Sequence, residues 1–278
     1  MKVRIWGCRG SLPTPGAETI TFGGNTSCIS IELDDALLVL DAGTGIRELG
    51  RRVDRTDKRP IHILLTHLHL DHIEGLRFFD PLWRAESEIH VWGPASPVTA
   101  LFERIARAFS PPLFPIELSD VPCALWFHDV LEGEWALGAA RISARPVIHP
   151  GPTLGYRVEN GGRTLGYLPD HEPFLGRKNG SLPAEWLSGY EVSADVDLLF
   201  HDAQFTAEEY PSRVGWGHSS VEHAVEYAHA AAAKRLVLFH HDPLRSDDEL
   251  TALAERAAAL WDGGQPPEPA REGVELSV

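Results

Sequence analysis

The chain has 278 residues, 43% hydrophobic and 23% charged, and its 25 basic against 40 acidic side chains leave a formal charge of −15. That composition is globular and excludes wholesale disorder. The acidic balance argues against a surface built to grip long nucleic-acid backbone, which requires neutralised phosphates, and leaves open a small phosphorylated substrate held at a metal centre. Three cysteines, Cys8, Cys28 and Cys123, are odd in number, widely spaced and without a CxxC. They suit buried, reduced thiols in the cytoplasm better than a disulfide framework. The N-terminus lacks the apolar core of a signal peptide, and no apolar run approaches the roughly 18 residues of a membrane span. The expectation is a cytoplasmic protein with no membrane partner.

In chain order, residues 3–6, 28–33 and 37–41 are β-prone runs separated by Gly, Asn or paired Asp. Helical spacing then runs from Thr44, a suitable N-cap, to Val53. Residues 61–65 form an apolar strand ending at Thr66-His67, and further strands are expected at 88–92, 124–128, 140–148, 154–158 and 163–167. Residues 96–109 read as helix. The Pro-rich stretch 110–115 reads as loop, and with Phe109, Leu113 and Phe114 it suits a lid, a homodimer contact or packing onto the body. In the second half, 197–200 is strand, 219–233 a helix capped by Ser219 or Ser220, and 236–239 strand. Residues 246–261 form a long helix opened by a Ser246/Glu249 capping box, and 274–278 an edge strand. No low-complexity linker divides the chain, so 1–278 is expected to be one domain, built of two similar halves that meet near residue 140.

The segment Thr66-His67-Leu68-His69-Leu70-Asp71-His72 concentrates the chemistry. His67 and His69 alternate, so on extended backbone they point the same way. Asp71 and His72 come from the turn into the next helix and face a second point nearby. Imidazole and carboxylate together suit Zn²⁺, Mn²⁺ or Fe.

This HxHxDH string after a strand resembles the metallo-β-lactamase superfamily, and within it the branch of RNase Z and the small phosphodiesterases. Supporting pieces follow in that branch's order: Gly24-Asn25-Thr26-Ser27-Cys28, Leu40-Asp41-Ala42-Gly43-Thr44-Gly45, Gly166-Tyr167-Leu168-Pro169-Asp170, His201-Asp202-Ala203-Gln204, Gly217-His218-Ser219 and Phe239-His240-His241-Asp242-Pro243. The resemblance implies an α/β (α+β) fold, a four-layer αββα sandwich, carrying a dinuclear site. His67 and His69 would join His149 around one metal. Asp71 and His72 would join a late histidine around the second, and Asp170 would bridge the two. His240 is taken as the late ligand and His241 as its alternative. His171 is read as lining or supporting the site, and Asp41 as fixing a neighbouring histidine. The two divalent ions, Zn or Mn with Fe allowed, would lie about 3.5–4 Å apart and share a hydroxide that attacks phosphorus, oriented by Asp71 and Asp170. In the RNase Z branch a histidine in a His-Ser-Thr-like motif before a helix helps stabilise or protonate the phosphate. Here Trp216-Gly217-His218-Ser219-Ser220 precedes a helix in the matching order, so His218 is expected to act as general acid. Asp202 either contacts His218 or supports the ligands.

The superfamily hosts many chemistries, so fold alone does not choose a substrate. The ligand pattern with His218 before its helix points to phosphodiester cleavage. RNase Z grips tRNA with a long basic arm between its third-motif histidine and its bridging aspartate. Between His149 and Asp170 this sequence has room only for two short strands and the turn Asn160-Gly161-Gly162. The expected activity is therefore hydrolysis of a small cyclic phosphodiester or cyclic nucleotide, with no long nucleic acid as partner. The alternatives are a nuclease on short RNA or DNA ends and a non-catalytic metal-binding module. Trp83 and Trp216 are candidates for stacking on a base. His62, His90 and His128 are read as isolated structural residues.

Overall fold

Among the described residues, 1–177 and 182–278 of this computed structural model, fourteen strands form two seven-stranded sheets. In the first sheet β1 (Lys2–Gly7), β2 (Cys28–Glu32) and β3 (Leu37–Leu40) run antiparallel, and β4 (Ile61–Leu64), β5 (Glu88–Pro94) and β6 (Ala124–Val130) continue in parallel. In the second, β7 (Gly133–Leu137), β8 (Ala140–Pro146), β9 (Leu154–Asn160) and β10 (Arg163–Leu168) form an antiparallel meander. It is continued in parallel by β11 (Leu198–Asp202), β12 (Leu236–Phe239) and β13 (Glu268–Pro269). The last strand, β14 (Glu275–Ser277), returns to pair with β1. Both halves therefore repeat one plan, antiparallel strands followed by parallel ones. They meet in the turn between β6 and β7, earlier than residue 140.

Strands β3, β4 and β12 are buried at every position and consist almost entirely of Leu, Ile, Val and Phe, as strands covered on both faces must. Side chains alternate between the two covers. Leu38, Leu40 and Leu64 meet Ile142, Tyr156, Tyr167, Phe200 and Phe239 between the sheets. Val39, Ile63 and Val91 face outward, where Ile46, Leu49, Leu101 and Ile105 from helices cover them. The helices of this half are α1 (Ile46–Arg52), α2 (Leu70–Ile73) and α3 (Leu101–Ala106). The outer face of the second sheet packs under α4 (Tyr190–Ser193), α5 (Val221–Ala230) and α6 (Asp247–Leu260), with Leu199, Leu236 and Leu238 meeting Val192, Ala224, Tyr227 and Leu253. Four layers result: helix, sheet, sheet, helix.

Several boundaries differ from the sequence expectation for local reasons. Thr44 does not cap α1; the N-cap is Gly45, and the Thr44 hydroxyl accepts the Thr26 N–H at 2.9 Å. The helix expected over 96–109 shortens to α3, whose first N–H, Leu101, donates to the Asp129 carboxylate at 3.1 Å. Strand β7 carries little sequence signal, because Gly-Glu-Trp-Ala-Leu alternates around only two large apolar groups. The caps of α5 and α6 are Ser220 and the Ser246/Glu249 box. The Pro-rich segment packs onto the body: Phe114 lies 4.8 Å from Phe109 and 6.2 Å from Trp83, ring to ring. The Trp83 indole joins this packing and donates its N–H to Arg77 O at 3.0 Å. All three cysteines are buried and unpaired, and burial pushes the Cys123 thiol up to about 11. No described helix is long and apolar enough to cross a membrane.

Candidate metal centre

The candidate ligands follow the carboxyl ends of β4, β8, β10 and β12, where loops from both sheets converge, the usual location of sites on such sheets. After β4, His67 Nε2 and His69 Nδ1 lie 2.8 Å apart, and His149 Nε2 is 3.2 Å from the same His69 nitrogen. Asp170 Oδ2 stands 3.7 Å from His67 Nε2 and 3.6 Å from His149 Nε2. A second group lies against it. Asp71 Oδ2 is 3.4 Å from His72 Nε2 and 3.2 Å from His240 Nε2. The other oxygen of Asp170, Oδ1, is 3.0 Å from His72 Nε2 and 3.3 Å from His240 Nε2. The structure thus brings all seven sequence-predicted ligands together, with Asp170 facing both groups.

Both sets fit a divalent cation. Tetrahedral bonds of about 2.0–2.1 Å keep neighbouring ligand atoms about 3.3–3.4 Å apart, which the observed separations bracket. His72 Nε2 and Asp170 Oδ1 are buried without a hydrogen-bond partner, an arrangement that is costly unless another group occupies the space between them. Burial pulls His67, His69 and His149 below the ordinary imidazole value, leaving the bare lone pairs a metal needs. Burial acts the same way on His72 and His240, but the carboxylates of Asp170 and Asp71 outweigh it and raise both. A cation entering there displaces protons.

The ligands are aimed by partners on their far sides. His72 Nδ1 donates to Asp41 Oδ2 at 2.8 Å, and Asp41 also takes the Thr66 N–H (2.8 Å) and the Tyr167 hydroxyl (3.1 Å). His149 Nδ1 donates to Gly217 O at 2.8 Å, and Thr66 Oγ1 lies 3.1 Å from His67 Nδ1. The Ser11 N–H donates to Asp71 Oδ2 at 2.6 Å. Ser11, Asp41 and His240 hold φ near +60°, and left-handed non-glycine residues commonly gather at functional sites.

His218 flanks the second group. Its Nδ1 donates to Asp202 Oδ2 at 2.6 Å, and its ring stacks on His240 with centroids 4.9 Å apart. Asp202 also accepts the N–H groups of Gln204, Ser219 and His171, so it fixes the turn as well as the imidazole. Two ambiguous histidines lie elsewhere. His241 Nε2 donates to Ala270 O at 2.9 Å, turned away from the cluster. His171 is packed behind Asp170 against His201 (3.0 Å) and Tyr227. His62, His90 and His128 are not isolated. They form a ladder across β4, β5 and β6 with His90 Nδ1 3.0 Å from His128 Nε2.

Sequence reasoning missed Ser11, Thr66 and the Gly217 carbonyl, which act through backbone or a short hydroxyl. It also missed Glu172, whose buried carboxylate accepts from the loop before His218. A carboxylate two residues after Asp170 was its only signal.

A family model described as beta-lactamase superfamily domain matches residues 37–241. The chain belongs to the beta-lactamase superfamily. Among its relatives within the superfamily is a ribonuclease Z of Porphyromonas gingivalis, 25% identical over 93% of this chain and 94% of the relative. A solved metallo-beta-lactamase fold protein, YhfI from Bacillus subtilis, superposes with a TM-score of 0.71 at 20% identity, covering 99% of this chain and 98% of that one. A diphosphatase of the PhnP family superposes with a TM-score of 0.68 at 21% identity, covering 100% and 97%. At that identity the structural likeness establishes the metallo-β-lactamase fold. This superfamily member is a hydrolase fold whose His/Asp clusters are suited to bind metal.

Proposed function

We propose that this protein is a metal-dependent phosphoric diester hydrolase acting on a small phosphodiester, of which a cyclic nucleotide is one example. The observation that carries it is Asp170, whose two oxygens face two separate ligand groups with the His218–Asp202 pair beside them. His67, His69, His149 and Asp170 would hold one cation, and Asp71, His72, His240 and Asp170 the other. Zn²⁺ and Mn²⁺ both suit these ligands. Bound there, two cations supply Lewis acidity to the phosphoryl oxygens and a water of lowered pKa.

The chain's own groups complete the chemistry. His218 gives Nδ1–H to Asp202, which leaves Nε2 to carry a proton towards the substrate. As water adds to phosphorus and the P–O ester bond breaks, that proton passes to the departing alkoxide oxygen. Asp71, held by the Ser11 N–H, orients the water. Ligands drawn from both sheets support a reading of residues 1–278 as one domain.

The small substrate is supported by the segment between His149 and Asp170. It is occupied by β9, β10 and a tight turn in which Asn160 pairs with Arg163 and Gly161 and Gly162 are left-handed. A nuclease on short RNA ends is the second reading, favoured by relatives named ribonuclease Z. The test is turnover by Zn²⁺- or Mn²⁺-loaded protein of bis-p-nitrophenyl phosphate, cyclic AMP and short oligonucleotides. Faster hydrolysis of the cyclic nucleotide is expected. Preference for oligonucleotides selects the second reading, and no turnover despite bound metal leaves a non-catalytic module.

A further inference from the structure

Glu172 is 1% exposed and all its carboxylate bonds go to one loop and its support. Oε1 takes the Tyr210 hydroxyl at 2.7 Å and the Gly215 N–H at 2.9 Å, and Oε2 takes the Gly217 N–H at 2.8 Å. Those two amides flank Trp216. Both glycines are left-handed, at φ 87° and 86°, a conformation glycine adopts without steric cost. A Cβ on Gly217 would stand 2.2 Å from Pro150 Cδ and 2.4 Å from His149 Nδ1. The backbone on either side of Trp216 is thus locked by a buried carboxylate, and on one side also by a ligand histidine.

The indole itself is 60% exposed. Single exposed apolar residues are common and by themselves mean little. This one stands on a backbone held from both sides and is connected to the site. The Arg213 guanidinium lies 6.0 Å from its ring centroid and 4.5 Å from that of Phe205, and Phe205 meets His218 edge-on at 5.8 Å. Ile148, beside His149, and Leu70, beside His69, are exposed apolar neighbours of other ligands. Exposed apolar side chains therefore sit next to ligand residues in the chain, and an aromatic ring stands on a locked backbone two residues before the proton donor.

We propose that Trp216 is a stacking platform for a planar ring carried by the substrate, a nucleobase or aryl group linked to the phosphodiester, and that Glu172 is the residue that positions it. The assignment rests on the phosphodiester reading and narrows its substrate class. Ring-on-ring stacking tolerates different bases because each has a π-face, so it selects ring-bearing over ringless phosphodiesters without choosing one base.

Calorimetric titration of the zinc-loaded protein with AMP and with ribose 5-phosphate tests this without turnover. Trp216→Ala should weaken AMP about tenfold or more, the scale of one lost stacking contact, and leave ribose 5-phosphate unchanged; Trp216→Phe should keep most of the AMP affinity. Glu172→Gln should reduce the same preference and add little to Trp216→Ala in the double variant. Equal AMP affinity in wild type and Trp216→Ala, or equal losses for both ligands, would overturn the platform. Preference for AMP through Trp216 with no phosphodiester turned over would overturn the activity reading and leave the ring site standing.

Discussion

Two groups of histidines share strand β4, one lying along the first sheet and the other at its carboxyl end, where the second sheet adds His149 and His240, and their contrast shows what makes a ligand set. His62 on β4, His90 on β5 and His128 on β6 form the ladder; His62 pairs in register with His90, and Trp92 with His128. The rings stack, His62 on His90 at 4.8 Å and Trp92 on His128 at 3.8 Å, and the indole of Trp135 on β7 adds to the pile at 5.2 Å from Trp92. Their nitrogens already have partners: His90 Nε2 is 2.9 Å from Glu88, and His62 Nδ1 accepts from Trp92. At the metal centre, one strand-end further along β4, carboxylates stand among the imidazoles and buried donor atoms point at one another unpaired. Among the described residues, the groupings suited to a metal all fall there. Proximity of histidines is common to both; converging lone pairs with interleaved carboxylates belong to one.

The largest effect that would separate the two regions is loss of the shared carboxylate. Asp170→Asn should cut bound metal, read by elemental analysis, and reduce phosphodiesterase activity by more than about a hundredfold, the upper scale for residues merely behind the ligands. His90→Ala should change neither by more than about twofold; a matching loss of metal in His90→Ala would erase the distinction. Next in size, His218→Ala should lower kcat by about 10²–10⁴-fold with metal content unchanged. Wild-type kcat in that variant would remove the proton donor from the mechanism.

Asp41→Asn should weaken metal binding about 10–100-fold, measured by competition with a chelator, because His72 loses the acceptor that holds its ring. The smallest effect belongs to the ladder. Burial, reinforced by His90 and His128 and opposed by Glu88 and Asp35, lowers His62 to about 4, below the ordinary 6.5 or so. The folded state then binds fewer protons than the unfolded chain between those values. This contribution to stability is present above about pH 6.5 and is lost as pH falls towards 4. His62→Phe should make urea stability less steep across that window, and an unchanged slope would remove His62 from the ladder's titration.

Much of the centre was legible because His67, His69, Asp71 and His72 lie in one string, while His149, Asp170 and His240 each follow an apolar strand. The order of motifs did the rest. The ladder was not legible, since residues far apart in sequence become neighbours only through the register of three parallel strands, and no local pattern specifies register. Glu172 was hidden for a related reason: its partners are the Tyr210 hydroxyl and backbone N–H groups of a loop distant in sequence, and backbone groups leave no side-chain signature. Strand order within the sheets was legible only as two similar halves, and the turn joining them was displaced by the unread β7.

Asp170, His171 and Glu172 are consecutive and buried, and they reach three places: the ligand groups, the packing against His201 and Tyr227, and the Trp216 loop. One short stretch of backbone therefore joins cation occupancy to loop order. Deuterium uptake at the Gly215 and Gly217 amides should slow when Zn²⁺ is added, and unchanged uptake would show the two to be independent. Since linkage of binding free energies is reciprocal, a ring resting on Trp216 would in turn tighten the centre's equilibrium hold on its metal against a chelator.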